Sequence, residues 1–128
     1  MAEGSPVPVT LANRGAMSDF IAPFDVPSRL TDQAYHVRFS HLWNAIATRH
    51  SDTVDAKFFV DGRGVLVGLA HTGMVQFRAR AGRELTDRES SFVAAEFLRE
   101  RLQEEDERRL YDVSAQDVLR VIEKIGLR

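Results

Sequence analysis

Four histidines are the side chains best suited to acid–base or metal chemistry, because an unperturbed imidazole titrates near neutral pH. They are His36, His41, His50 and His71. On a helix, a spacing of five residues places the first two about 140° apart, and neither H-x-x-x-H nor H-E-x-x-H occurs. We therefore predict ordinary surface histidines, no catalytic residue and no metal site. The alternative is a small enzyme in which His50 or His71 meets Asp52 or Asp55 in a concave pocket.

Cofactor-binding and nucleophile motifs are missing from the sequence. Glycines occur at positions 62, 64 and 68, but they form neither G-x-G-x-x-G nor a Walker motif, and no G-x-S-x-G elbow is present. The chain has no cysteine, which excludes disulfides and thiol nucleophiles. We expect no cofactor and no covalent catalysis.

Four arginines form the best candidate for an anion-binding surface. Arg78 and Arg80 alternate, so a strand would present both on one face, and the set is completed by Arg63 and Arg83. Such a surface could contact the phosphates of a nucleic acid. The interpretation we favour is a solvated face balanced by nearby acidic residues, so nucleic-acid binding is an alternative function here.

Composition indicates an ordinary globular protein. The chain has 128 residues, is 44% hydrophobic and 28% charged, and carries a formal net charge of −2, so phosphate exerts no global attraction on it. No apolar run reaches the roughly 18 residues that a membrane-spanning helix needs, and the start lacks the pattern of a signal peptide. We expect no membrane association and a cytoplasmic location.

The first 27 residues have the composition of an arm or tail. They contain all four prolines of the chain, which prevents a continuous helix or central strand. Phe20, Ile21 and Phe24 are unusual for a disordered segment, so we expect them to dock on the domain or on a neighbouring subunit. Met17 could also be the natural start. The remaining residues, 28–128, are predicted to form one domain.

Residues 31–50 contain apolar side chains at helical spacing. Tyr35, Phe39, Leu42 and Trp43 lie on one side of such a helix, and Thr31 can cap it. We predict a helix over 31–50. The alternative is that residues 35–39 alternate as a short strand that precedes a helix from Ser40.

The clearest structural signal is Asp61-Gly62, a dipeptide typical of a two-residue hairpin turn. It separates two β-rich runs, so we predict an antiparallel hairpin over 56–70. Residues 74–81 alternate as a half-exposed strand would, although Met74, Phe77 and Ala81 would also line a short helix. We favour the strand, because a third strand stabilises a lone hairpin.

Two capping patterns predict helices in the last third of the chain. Thr86 and Glu89 form a capping box for a helix through Leu102. Beyond Leu102, the charged run QEEDERR is solvent-facing, so we expect the second half of that helix to project from the core or to fray. Ser114 caps a final amphipathic helix that Gly126 ends.

The sequence thus predicts an α+β domain with an N-terminal helix, a small antiparallel meander of two or three strands, and two or three C-terminal helices on one sheet face. For function we favour a small non-catalytic interaction or accessory protein that self-associates or binds a protein partner. Phe20, Ile21 and Phe24 are its candidate association residues.

Overall fold

Five strands and three helices make up the described part of the chain, in an α+β arrangement. The computed structural model describes residues 20–45 and 52–128. Its strands are β1 (Phe24–Pro27), β2 (Ala34–Ala45), β3 (Thr53–Val60), β4 (Arg63–Ala70) and β5 (Leu110–Val113), and its helices are α1 (His71–Ala81), α2 (Asp87–Gln103) and α3 (Ala115–Lys124). The strands lie in the order β1-β2-β3-β4-β5, antiparallel from β1 to β4, with β5 parallel to β4.

The hairpin predicted at Asp61-Gly62 is confirmed. β3 and β4 pair in register from Thr53↔Ala70 to Val60↔Arg63, and the two turn residues have φ of 51° and 83°. Positive φ at both central positions defines the type I′ turn, which matches the twist of the flanking strands. The turn is also hydrogen-bonded to β2, because the backbone N–H of His36 donates to the Asp61 carboxylate at 2.9 Å.

The predicted helix over 31–50 is wrong. Residues 34–45 form β2, the longest strand of the sheet; the part of the prediction at 46–50 lies outside the described residues. The alternative strand over 35–39 is confirmed, but the helix that would follow it from Ser40 is not, since β2 continues to Ala45.

A β-bulge at Ser40 explains the misleading spacing. Phe39 pairs with Phe58, whereas His41 already pairs with Lys57, so Ser40 is the extra residue of β2. Before the bulge, the residues facing the core are Tyr35, Val37 and Phe39; after it, the series resumes at Leu42. The extra residue converts one two-residue step into a three-residue step, which imitates the spacing of a helix.

The strand predicted over 74–81 is also wrong, because these residues belong to α1. The helical alternative was the correct one: Phe77 is buried, Met74 is partly buried, and Gly82 ends the helix with φ of 77°. Gly73, one turn before Phe77, is buried as well. The alternation of Val75, Phe77, Ala79 and Ala81 therefore does not mark two faces of a strand.

Both predicted capping motifs are confirmed. Thr86 Oγ1 accepts a hydrogen bond from the backbone N–H of Glu89 at 3.1 Å, and the Glu89 carboxylate accepts one from the Thr86 N–H at 2.9 Å. Ser114 accepts from the Asp117 N–H at 3.1 Å at the start of α3. Of the two outcomes expected beyond Leu102, a helix that projects through QEEDERR is not found, since α2 ends at Gln103.

β5 is the strand that the predicted meander lacks. It follows the turn in which Glu105 has φ of 57°, and it aligns parallel to β4 from Leu66↔Leu110 to Leu69↔Val113. A parallel neighbour requires a crossover, which α1 and α2 supply. The predicted fold is therefore corrected: a five-stranded mixed sheet replaces the N-terminal helix and the small meander.

The core lies on one face of the sheet, which we call the inner face. Alternate residues of the central strands are fully buried there, among them Val37, Phe58 and Val67. α2 packs across β1 to β4, while α3 packs on β4 and against α1 and α2. The opposite, outer face carries none of these helices. Within the described residues, no helix has the length and apolar character required to cross a membrane.

Candidate functional site

The outer face of β2 and β3 presents a cluster of aromatic and cationic side chains. We define the aromatic–cationic patch as Arg38, His41, Trp43, Lys57 and Phe59. Its members alternate with core residues along two neighbouring strands, and the register places Arg38 opposite Phe59 and His41 opposite Lys57. Arg38, His41 and Trp43 are exposed, and the other two are partly exposed.

Cations and rings are in direct contact within the patch. The Arg38 guanidinium carbon lies 4.5 Å from the centre of the Phe59 ring, and Lys57 Nζ lies 5.2 Å from it. The rings of His41 and Trp43 stack at 4.8 Å with an interplanar angle of 26°. These are the distances of cation–π and offset-stacked contacts, so the patch is arranged before any ligand arrives.

The two cations of the patch, Arg38 and Lys57, have no ion pair in the part of the chain that the structure describes. Two acidic groups of the outer face are engaged elsewhere: Asp25 contacts His36 Nδ1 at 2.8 Å, and Asp55 is buried and accepts from the Thr53 hydroxyl at 2.6 Å. A third, Asp112 of β5, is exposed and lies opposite Gly68. Two cations therefore remain available for an external anion.

β4 contributes two glycines, which have no side chains, to the neighbouring part of the outer face. Gly64 lies opposite Phe59, and Gly68 lies opposite Asp55. The Lys57 side chain extends over Gly64, where an added Cβ would stand 3.4 Å from Lys57 Cε. Between the glycines, Leu66 is partly exposed and adjoins Leu110 of β5. The patch is thus bordered by a flat, partly apolar strip.

The four arginines considered as a candidate anion surface are not brought together. Arg63 begins β4, whereas Arg78 and Arg80 lie on α1 beyond the other end of that strand. Arg63 donates to Glu107 at 2.9 Å, and Arg83 makes a bidentate pair with Glu89 at 2.8 and 3.0 Å. The strand that would have aligned Arg78 and Arg80 on one face is a helix.

The paired arginines lower the pKa values of their partner carboxylates. Burial alone would raise the pKa of Glu89, but hydrogen bonds from Arg83 and from Thr86 lower it. Hydrogen bonds from Arg63 and Tyr35 lower the pKa of Glu107. Glu89 and Glu107 thus hold Arg83 and Arg63 in structural contacts.

The small-enzyme alternative required His50 or His71 beside Asp52 or Asp55, and no such side-chain pair occurs among the described residues; the histidine–carboxylate pair that does occur, His36 with Asp25, is exposed on the sheet surface. His71 starts α1 and lines a cavity of about 200 Å³ together with Asp87 and Ser90, yet no described hydrogen bond joins its ring to a carboxylate. Asp55 is engaged by Thr53. His50 lies outside the described residues. Likewise, no group of three potential metal ligands occurs among the described residues.

The predicted association residues pack against their own chain. Ile21 is buried in the core, and Phe20 stacks on Phe39 with ring centres 5.1 Å apart. Phe24 begins β1 and pairs with Val37. Docking on the domain itself thus accounts for these side chains, while residues 1–19 lie outside the described part.

Sequence reasoning missed the aromatic–cationic patch because three of its members lie in the segment interpreted as a helix. The signal that could have found it is the alternation of Tyr35, Val37 and Phe39, which puts His36 and Arg38 on the opposite face of a strand. Lys57 and Phe59 alternate in the same way with core residues of the predicted hairpin. Pairing the two strands would have placed these side chains together.

No protein-family model matches the chain, and searches of curated proteins and of solved structures give no match.

Proposed function

We propose that this protein binds single-stranded nucleic acid on the aromatic–cationic patch. The observation that carries the proposal is the convergence of two cations, neither of which has an ion pair among the described residues, with exposed and partly exposed rings on the outer face of the sheet. Stacking platforms for single strands combine these two elements, because every base has a π-face and every nucleotide a phosphate. The proposed binding surface is therefore the aromatic–cationic patch and not the four arginines that the sequence offered as a candidate anion surface.

The dimensions of the patch suit a short stretch of single strand. From Arg38 to Trp43, the strand spans roughly 15 Å at about 3.3 Å per residue, and sheet-based RNA-binding modules stack two or three bases on such a surface. The guanidinium plane of Arg38 can also stack on a base. Duplex bases are stacked on one another, so their faces are not available to Trp43 or Phe59.

The small local charge of the patch limits the expected affinity and sets how strongly that affinity depends on salt concentration. The whole chain has a formal net charge of −2, so attraction comes from the local cations alone. If Arg38 and Lys57 neutralise two phosphates, log K should fall with log[salt] with a slope of about −1.4, using about −0.7 per phosphate for single strands. A protein that binds through a broad basic surface would have a steeper slope.

The single tryptophan of the chain makes the test specific. We expect a single-stranded oligonucleotide of deoxythymidines or uridines to quench Trp43 fluorescence and to bind more tightly than the matched duplex. Anisotropy titrations between about 50 and 200 mM salt give the slope. Arg38→Ala with Lys57→Ala should abolish the slope, whereas Trp43→Ala should weaken binding about tenfold and leave the slope unchanged, since stacking is worth about 1 to 3 kcal/mol per base.

Matched controls separate the patch from general effects. Arg80→Ala removes an exposed arginine of α1, and Leu30→Ala removes an apolar side chain that is 61% exposed; neither should change binding. Equal binding of the duplex, or affinity unaffected by the patch variants, would refute the proposal. Equally tight binding of polyglutamate would identify an acidic polypeptide as the partner instead.

Self-association through the outer face is a second candidate function. It is favoured by Leu66 and Leu110, which adjoin each other on this face, with Leu110 36% exposed. Two copies could bury this apolar strip against each other. Sedimentation equilibrium at tens of micromolar should then give a dimer that Leu110→Glu dissociates and Leu30→Glu does not. A monomer for the unaltered chain would remove this candidate.

A further inference from the structure

A cavity of about 170 Å³ opens at the end of the sheet where β3 turns into β4. Its apolar floor is made by Val60, Val65, Leu102 and Tyr111, all of which belong to the buried core. The Tyr111 hydroxyl is satisfied, since it donates to the Asp106 carbonyl at 2.7 Å and accepts from the Arg108 N–H at 2.9 Å. The floor therefore offers apolar surface and no unmet hydrogen bond of this hydroxyl.

The rim of the same cavity is rich in arginine. Arg63, Arg108 and Arg109 line it together with one carboxylate, that of Glu107. Arg63 is paired with Glu107 at 2.9 Å, and Arg108 with Asp106 at 2.9 Å. Arg109 has no ion pair with any described residue, so one guanidinium at the mouth is uncompensated. The lining side chains together carry an excess of positive charge.

We propose that this cavity binds a small oxyanion with an apolar body, the anionic group at Arg109 and its neighbouring arginines and the body against the floor. Guanidinium groups bind carboxylate and phosphate through paired N–H donors. A cavity of about 150 Å³ with apolar walls accepts a benzene-sized molecule, so the space here fits one ring or a short branched chain. The site is separate from the aromatic–cationic patch.

Calorimetric titration of the full chain tests the site with four probes: benzoate, phenyl phosphate, their neutral relative benzamide, and inorganic phosphate. We expect benzoate and phenyl phosphate to bind and benzamide not to bind. Inorganic phosphate should bind more weakly than phenyl phosphate, because it leaves the floor uncovered. The tighter of the two aromatic anions identifies the class, carboxylate or phosphate ester.

Two substitutions with opposite expected signs exclude a merely structural effect. Arg109→Ala should weaken binding about tenfold, the size of a lost charge-assisted hydrogen bond, and should leave the fold intact, because the backbone carbonyl that accepts from the Leu66 N–H is retained. Glu107→Gln should tighten binding, since it removes the negative charge of the rim. General damage to the site would weaken binding in both variants.

The controls are Arg80→Ala, a remote exposed arginine, and Leu30→Ala, which removes an exposed apolar side chain outside both sites; both should bind benzoate as the unaltered chain does. Equal binding of benzamide and benzoate, or undiminished binding by Arg109→Ala, would overturn the proposal. Binding of inorganic phosphate as tight as that of phenyl phosphate would overturn the role of the apolar floor.

Discussion

Replacing Glu96 with alanine is expected to destabilise the fold by about 3 to 5 kcal/mol, the usual cost of breaking a buried ion pair. Glu96 lies in the middle of α2 and its side chain is 0% exposed. Its carboxylate accepts hydrogen bonds from Arg99 at 2.9 and 2.7 Å, and Lys124 Nζ of α3 lies 2.7 Å away. Removing it leaves the buried Arg99 guanidinium without its counter-charge.

The expected loss is large because Arg99 has little access to water, its side chain being 8% exposed. Lys124 is less affected, since it also contacts Glu100 at 2.7 Å. Urea unfolding near pH 7 measures the free energy of unfolding.

Glu100 is ionised at this pH. Burial alone would raise its pKa, but hydrogen bonds from Arg120 and Lys124 lower it. Its contribution to stability is lost only as the pH falls through that lowered value.

A double substitution distinguishes an unpaired buried charge from lost packing. Glu96→Leu with Arg99→Leu removes both charges and keeps side-chain volume, and such apolar replacements of buried pairs are often neutral or stabilising. We therefore expect the double variant to lose far less stability than Glu96→Ala. A Glu96→Ala variant within about 1 kcal/mol of the unaltered chain would show that this pair behaves as an exposed one.

The features predicted correctly from sequence depend on local chemistry. Asp61-Gly62 carries its own preference for positive φ, and Thr86 and Ser114 cap helices through atoms three residues away. Each signal is complete within a few residues. The hairpin and the starts of α2 and α3 were accessible for that reason.

The features predicted wrongly depend on distant parts of the chain. β2 contains a bulge whose extra residue, Ser40, breaks the two-residue alternation, and nothing local marks that position. β5 has four residues and exists because Tyr111 and Val113 reach the core beside β4. The contact of Glu96 with Lys124 likewise joins two helices, because α3 places Lys124 against α2.

The aromatic–cationic patch could not be predicted from the sequence because β2 was not predicted. Once residues 31–50 were interpreted as a helix, Arg38 and Trp43 could not be aligned with Phe59 on a neighbouring strand. The arginines that were proposed instead shared a face only if residues 74–81 formed a strand. The hydrophobic pattern sets the register of a strand only once that segment is recognised as a strand, and the pairing between strands then decides which side chains meet.

The second large effect is expected at Gly73, where a substitution that normally favours helices should destabilise this one. An added Cβ would lie 2.9 Å from Val118 Cβ and 3.1 Å from the Cα of Ala115. Gly→Ala in a helix gains up to about 1 kcal/mol in propensity, whereas overpacking costs about 1 to 3 kcal/mol. Gly73→Ala should therefore lower the free energy of unfolding by about 1 to 2 kcal/mol.

Two comparisons show whether the close contact between α1 and α3 causes the destabilisation expected for Gly73→Ala. Thr72→Ala changes an exposed residue of the same turn and should leave stability within about 0.5 kcal/mol. Adding Val118→Ala to Gly73→Ala removes the Cγ1 atom at 3.0 Å but keeps Val118 Cβ and the Ala115 backbone, so it should not restore stability. If Gly73→Ala instead stabilises the protein in thermal unfolding, as at an exposed helical glycine, then α1 and α3 do not approach each other this closely, and a space between them must accept the methyl group.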